Sequence, residues 1–551
     1  MSTVSMDLSV MPASLDPVSI KDSASEIVDT QLYEELFFYN FTTQTISPWL
    51  ASGYNVSSNG MQYDVTLRQG INFADGTPFN ATAVQFSINR QVIMSTGVTG
   101  YYEGVLDGAE AYSLSNKTSA DVTTFLAAGG VKILGPYEVQ FNLQIPAPSF
   151  LLVLSMVYLS AMVSPTYVNA HGGVVPATEN TYMNTNMGAG TGPYTGTYNV
   201  GTGSIVLTAD PSYWGSPYND GVAKIHTLVF NIVTNDLKQV LDLKSGQANI
   251  IQFDSTNLFN VANQSVYTSS NGTTLVSSTP NVNVIGPYGT LSFYAIMLNQ
   301  DIKNPDGSLA SVQPFQNLDV RLALQYAFNQ QTYVNTLLNG IGLPMFGVIP
   351  SGMLGYTAGS PTPFPYNLNM SQQLLLNASK QLGFSPSNPL TVTAVYPSGE
   401  TGSENMITLL ASAINGLNTG FIIAVTPESN PQYLSQLFSG TLQMGRILWG
   451  GDFADPDGNL QAFGNGITGV LPPLLGDNDS ALNAVLIQER SETNSTLRLQ
   501  LINEANQMIA QDAWYLWGAQ LSDIYGVSST IQSFQVSGET TAPLFYFMVT
   551  T

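Results

Sequence analysis

The stretch 228-LVFNIVTNDLKQVLDLKSGQANIIQF-253 decides the fold class. Its first six residues are an apolar run of strand length, the middle carries helical periodicity, and the end returns to a short apolar run. Strand, helix, strand is the crossover unit of an α/β sheet. The same order recurs in 390-LTVTAVYP-397, 404-ENMITLLASAING-416 and 421-FIIAVTP-427, so two α/β lobes are implied.

Toward the N-terminus the pattern changes to hairpins. The segment 61-MQYDVTLRQGINFADGTPFNATAVQFSINR-90 reads as two strands, a turn held by Asp75, Gly76 and Pro78, and a helix from Ala81 capped by Asn80. In 131-VKILGPYEVQFNLQIP-146, Gly135-Pro136 marks a turn, and Val139, Phe141 and Leu143 share one face. These hairpins are expected to form a small mixed domain inserted into the first lobe.

Composition narrows the function. At 551 residues the chain exceeds a single core, which stops growing near about 300 residues, so two or three domains are expected. Charged residues are only 9%, with 14 Lys+Arg against 37 Asp+Glu and a formal charge of −23. Such a surface suits an exported protein in acid, because near pH 2 to 3 most carboxylates, with pKa about 4, lose their charge. Nothing supplies a basic patch for phosphates, so nucleic acid is not an expected partner. Cysteine is absent, which removes disulfides and thiolate metal sites. No apolar run reaches the roughly 20 residues of a membrane span, and the first residues lack the order of a signal peptide. The expectation is a mature exported form, with any contact to a membrane made through a removed anchor or a permease. Ten Asn-X-Ser/Thr sequons, Asn40 and Asn494 among them, fit export but are frequent in so Asn- and Ser-rich a chain.

Catalytic and metal motifs fail on inspection. The glycine-rich 188-GAGTGPYTGTYNV-200 lacks the Lys-Ser/Thr of a phosphate loop. No serine sits in a Gly-X-Ser-X-Gly elbow. His171 and His226 are the only histidines and lie far apart. In 448-LWGGDFADPDGNLQAF-463 an EF-hand register would place Phe453 at position one and Gly464 at position twelve, so two ligand positions fail. A looser calcium site at Asp455 and Asp457 stays open, and turn and helix-cap roles with Pro456 fixing the bend are the alternative. No catalytic residue, metal ligand or cofactor is assigned. A secreted hydrolase acting on oligosaccharides remains the alternative of a different class.

Read together, 14-SLDP-17, 32-LYEELFFY-39, the segment from Trp49 to Arg90, 190-GTGPYTGTY-198, 210-DPSYWG-215, 314-PFQNLDVRLALQYAFNQQ-331, 365-PYNLNMSQQLLLNASKQLGF-384 and 523-DIYGVSSTIQSF-534 resemble, in order and spacing, the family 5 extracellular solute-binding proteins of ABC importers, the dipeptide- and oligopeptide-binding group. The resemblance implies an α/β, two-lobe periplasmic-binding-protein-like fold of type II, with an extra mixed α/β domain in the first lobe. The expected boundaries are 1–45, 188–274 and 521–551 for lobe I, 46–187 for the insertion and 275–520 for lobe II. It implies a monomeric, cell-surface receptor that captures an oligopeptide or a neutral oligosaccharide and delivers it to a permease, without chemistry of its own. Joined with the composition, it points to an acidophilic archaeon as the source.

The resemblance also implies site residues. Asp452 matches the aspartate that receives a peptide's α-amino group, while Trp449, Gly450 and Gly451 match the backbone that pairs with an extended ligand. Glu34, Glu35 and Leu36 match the strand on the opposite lobe. Tyr213 and Trp214 read as packing residues. One departure stands out: dipeptide-binding members carry an arginine for the ligand carboxylate where this chain reads 396-YPSGETGSENMI-407, with no base. A buried carboxylate without a partner is costly. Short peptides with a fixed C-terminus are therefore disfavoured.

Overall fold

Two long strands, Val282–Leu298 and Tyr515–Ser528, run antiparallel through the middle of an 11-stranded sheet. The computed structural model describes residues 2–551 except 41–42, 44, 97–99, 200, 202, 216–222, 254–257, 269–271, 362–363, 452, 468 and 538–540. On one side of the long pair stand Met444–Gly450, Leu390–Pro397 and Phe421–Glu428. On the other stand Ile250–Phe253, Thr3–Leu8, Thr227–Ile232, Ser204–Ala209 and Tyr194–Asn199, and the short Leu343–Pro344 strand pairs with Tyr515–Ser528 outside this order. The fold is mixed α/β, as the repeated crossover pattern requires.

Both crossover units form where the sequence places them. Thr227–Ile232, the Asp236–Ser245 helix and Ile250–Phe253 make the first, and both strands pair parallel to Thr3–Leu8. Asn235 caps the helix by accepting from the Lys238 N–H, and Gly246 ends it at φ 77°. Leu390–Pro397 and Phe421–Glu428 pair in parallel on either side of the Thr401–Gly416 helix in sequence. That helix buries Met406, Ile407, Leu410 and Ile414, an i, i+1, i+4, i+8 stripe. In the Leu318–Ala327 helix the buried set is Val320, Arg321, Ala323, Leu324 and Ala327, while Leu322 and Tyr326 are half-buried.

Ala51–Val56, Gln62–Leu67, Glu138–Asn142 and Val131–Gly135 form a separate four-stranded antiparallel sheet. Val139, Phe141 and Leu143 are buried together, as their alternation predicts. The Ala81–Met94 helix starts at Asn80, whose side chain accepts from the N–H groups of Thr82 and Ala83. The second strand expected in 61–90 does not form. Only the Asn72–Pro78 bridge appears there, because the turn held by the Asp75 side chain and Gly76 at φ 81° takes up the chain.

Buried charge is paired or neutralised. Arg90 donates to both Asp16 oxygens at 2.7 and 2.5 Å, and Arg498 to both Asp455 oxygens at 2.9 and 2.6 Å. Other carboxyls are raised by burial, Glu489 even beside Arg498 at 2.9 Å. Desolvation pushes Asp7 and Asp512 up to about 6 and raises Asp29, Asp477, Glu489 and Asp523.

A carboxyl that is harder to ionise folded than unfolded binds extra proton in the native state between its two pKa values. Stability therefore falls as pH rises through that window, from the usual carboxylate range to about 6 for Asp7 and Asp512. Scanning calorimetry should show a Tm about 3–6 °C higher at pH 5 than at pH 8. A Tm that is flat or lower at pH 5 would contradict the protonation scheme.

Candidate functional site

The C-terminal ends of the parallel strands converge on one cleft, where ligands bind in open α/β sheets. Leu8 and Phe253 end two strands on one side, Gly399 to Gly402 follow Leu390–Pro397 on the other, and Gly450 ends Met444–Gly450. The floor is Leu521 and Asp523 of the second long strand. The cleft has two connected parts, about 520 and 400 Å³, which share Ser23, Gln252, Leu521 and Asp523. The larger part faces Asp7, Asp236, Tyr294 and Glu400; the smaller faces Lys21, Asp22, Glu26, Tyr158, Gly450 and Gly451.

The cleft is strongly acidic. Among the described residues, six carboxyl residues line it against one base, Lys21, which pairs with Glu179 at 3.1 Å. Asp7 is only 3% exposed. Its Oδ1 accepts from Asn231 at 3.2 Å, and its side chain also meets the Asp242 carboxyl at hydrogen-bonding range. Burial is the main cause of its upward shift to about 6, with the Asp242 charge adding and Lys238 opposing. Burial likewise raises Asp523, which accepts from the Thr541 hydroxyl. Glu400 sits at the N-terminus of the Thr401–Gly416 helix and takes an Arg446 N–H at 2.5 Å and the Ser403 hydroxyl at 2.8 Å.

The sequence-derived site residues divide. Gly450 and Gly451 line the cleft, and added side chains would crowd Ser292 Oγ at 3.1 Å and Met353 at 2.7 Å. Trp449 lines neither part. Its Nε1 donates to Asn459 at 2.9 Å and its ring meets Phe463 edge-on, which braces the turn after the strand. Asp452 lies outside the described residues. Glu34 and Glu35 line a different, small cavity of about 90 Å³, which shares no lining residue with the part that Gly450 faces. Leu36 is fully buried.

Glu34, Glu35 and Leu36 are irregular backbone ahead of the Phe37–Asn40 strand, and not a strand themselves. Their carbonyls are already taken: Glu34 accepts from Met162, Glu35 from Leu50, and Leu36 from Trp49 and Ala51. The Glu34 carboxyl accepts from Trp49 Nε1 at 2.9 Å, Tyr213 OH at 2.6 Å and Trp214 Nε1 at 2.8 Å. Burial still pushes it upward against those three donors. Tyr213 and Trp214 are thus packing residues that also hold Glu34.

Asp455 caps the Pro456–Gly464 helix and chelates Arg498, while Asp457 stands 3.5 Å from Arg490. These carboxylates are met by guanidinium groups, and among the described residues no acid and histidine cluster is arranged to hold a metal ion. His171 stacks on Tyr182 at 4.3 Å.

Sequence reasoning missed Asp7, Asp523 and the Glu400–Arg446 pair. The available signal was an ionisable residue inside an apolar strand, in 3-TVSMDL-8 and again in 444-MGRILWG-450.

Comparison with known proteins places the architecture. The model for "Bacterial extracellular solute-binding proteins, family 5 Middle" matches residues 45–468. The glutathione-binding protein GsiB of Escherichia coli K12 is 27% identical over 375 residues, 67% of this chain and 60% of that protein. The GsiB protein of Salmonella typhi has the same identity and coverage. The match therefore spans less than two thirds of those relatives. DppA from Helicobacter pylori, in complex with the peptide STSA, superposes with a TM-score of 0.72 at 20% identity, covering 100% of this chain and 98% of that one. AppA from Bacillus subtilis, in complex with a nonapeptide, gives 0.73 at 16%, covering 100% and 99%. These likenesses show the type II fold.

Glu34 supports the fold around it, so Glu34→Gln, which turns one of the accepting oxygens into a donor, should cost about 1–3 kcal/mol of stability. Denaturant unfolding should show a lower midpoint with an unchanged slope. An unchanged midpoint would return Glu34 to the list of ligand contacts.

Proposed function

The chain belongs to the bacterial extracellular solute-binding proteins of family 5, and from that premise we propose that it is the receptor of an ABC importer. It captures an oligopeptide in the cleft between its lobes and delivers it to the permease. The observation that carries the peptide reading is an open strand edge. Leu390–Pro397 pairs with Met444–Gly450 only at Met444 and Gly445, so no described strand runs along Ile447 to Gly450 on that side. An extended peptide can add there by β-augmentation, and the two glycines at its end allow close main-chain approach. In this reading Gly450 and Gly451 pair with the ligand, Trp449 braces them, and Asp452 receives the α-amino group. Glu34, Glu35 and Leu36 act at a distance, by holding the opposite wall.

The division into lobe I (1–45, 188–274, 521–551), insertion (46–187) and lobe II (275–520) belongs to the same proposal. So do a monomeric state, tethering at the cell surface and the absence of chemistry. No helix among the described residues is long and apolar enough to cross a membrane. An acidic habitat, such as that of an acidophilic archaeon, is supported by the buried carboxyls that favour their protonated forms. A neutral oligosaccharide is the other ligand to test, held by Tyr158, Tyr294 and neutral hydrogen bonds.

A charge-assisted bond to an amino group is worth about 1.5–3 kcal/mol, so Asp452→Ala should weaken peptide binding at least about tenfold. Acetylating the peptide N-terminus should cost a similar factor by calorimetry. Unaltered affinity in both experiments removes the amine role, and oligosaccharide binding without peptide binding overturns the peptide reading.

Ligand should also shift an open–closed equilibrium, because only the closed form makes both sets of contacts. Small-angle scattering should record a smaller radius of gyration at saturation. An unchanged radius would count against closure.

A further inference from the structure

Away from the cleft, one cavity is walled largely by aromatic rings. It is the small one at Glu34 and Glu35, about 90 Å³, and seven of its sixteen described lining residues are aromatic. Phe38 and Trp49 stand 5.4 Å apart beside the Phe37–Asn40 strand. Tyr213, Tyr546 and Phe547 follow one another at 5.1 and 5.2 Å, with planes at 76° and 68°. The Glu34 carboxyl fixes two of these rings, taking Trp49 Nε1 at 2.9 Å and Tyr213 OH at 2.6 Å. Glu35 is the group without a use. It lines the same cavity, is half-buried, and among the described residues its carboxyl is met only by its own backbone N–H. Burial and the neighbouring Glu34 charge push it upward, and a cation seated beside it would offset both. No lysine, arginine or histidine is among the described lining residues.

We infer that this cavity binds a quaternary ammonium group, with the aromatic walls against its methyl groups and the Glu35 carboxylate as its counter-ion. Rings and acids without a base exclude an anion and favour a cation, because the face of an aromatic ring is electron-rich. A primary ammonium or a guanidinium would need several acceptors, and those of Glu34 are already taken by Trp49, Tyr213 and Trp214. A quaternary ammonium has no N–H to satisfy, so its burial leaves no donor unpaired. The size agrees as well. An apolar cavity of about 150 Å³ takes a benzene, so one of about 90 Å³ takes about four heavy atoms, as in a trimethylammonium group. The rest of the ligand has room in an adjoining space of about 620 Å³, which shares Phe38, Trp49 and Phe547 with the cavity and has no charged residue among its described lining. Neither space shares a lining residue with the cleft, so the site is separate from the one proposed for peptides.

The test is calorimetry of the whole chain at pH 7.5 and low salt with two cations, each against an uncharged partner. Choline against 3,3-dimethylbutan-1-ol represents a free solute, and acetyl-trimethyllysine amide against acetyl-norleucine amide represents a modified side chain. At least one cation should bind at least about tenfold tighter than its uncharged partner, and which one does so identifies the source. Glu35→Gln should bring that preference within about twofold. Phe547→Leu should weaken the cation about fivefold and leave the uncharged partner within about twofold, because leucine keeps the apolar contact and loses the charge distribution of the ring. Phe547 is half-buried, so this variant keeps the test decisive if Glu35→Gln fails to fold. Absence of binding by both cations, equal binding of the charged and uncharged partners, or a preference that survives in either folded variant overturns the site. None of these outcomes bears on peptide binding in the cleft.

Discussion

The ladder between Val282–Leu298 and Tyr515–Ser528 is the constraint on which the rest of the molecule depends. Its pairing runs from Val282 opposite Ser528 to Met297 opposite Tyr515. One end of the ladder extends into Ile250–Phe253 through Ile524 to Val527, and the other into Met444–Gly450 through Ser292 to Leu298. The two half-sheets are therefore joined by strands that belong to both. The register shifts three times between Ile285 and Ala295, in the middle of the ladder. Bulges bend a strand and increase its twist, which lets one ladder turn from one half-sheet into the other. The cleft opens along this segment, with Thr290, Leu291 and Ser292 in its wall and Leu521 to Asp523 opposite.

The ladder alone carries sheet continuity, and side-chain contacts elsewhere add to it. Tyr39 OH donates to the Gly352 carbonyl at 3.3 Å, and Tyr101 meets Phe453 edge-on at 4.9 Å. The heavily charged groups lie behind them: Arg498 is shared by Asp455 and Glu489 at 2.6 and 2.9 Å, all nearly fully buried. Replacing one member would leave a buried charge unpaired, the costly case for buried ion pairs. The acids after Asp452 thus serve the helices beneath the turn.

The periodic parts of the fold were legible. Both crossover units, the 131–142 hairpin and the Asn80 cap follow from spacing and turn chemistry because each depends on neighbours within about 20 residues. The Val282–Leu298 strand was not legible, since Gly286, Pro287 and Gly289 break its alternation and read as turn punctuation. It exists because Tyr515–Ser528 lies beside it, more than 200 residues away in sequence. The site follows the same rule. Gly450 and Gly451 were found from a local motif, whereas Glu34 could not be assigned its place, because its partner Tyr213 is 179 residues distant. Asp7 went unnoticed because its meaning depends on which groups surround it, and none of them is near in sequence except through the fold.

The Glu400–Arg446 pair explains why the missing arginine at 396–407 need not be read as a gap. A guanidinium does reach the start of that helix, from the strand that ends in Gly450, and the protein has already supplied its carboxylate. A ligand carboxylate would have to displace Glu400, which is tethered in place, bonded to Ser403 and only 25% exposed. A tethered group competes at high effective concentration, so an untethered carboxylate is at a disadvantage. Displacement would also leave Glu400 in a cleft that already holds Asp7, Asp236 and Asp523. The pair therefore meets the Arg446 charge from within the chain, among the other acids that line the cleft.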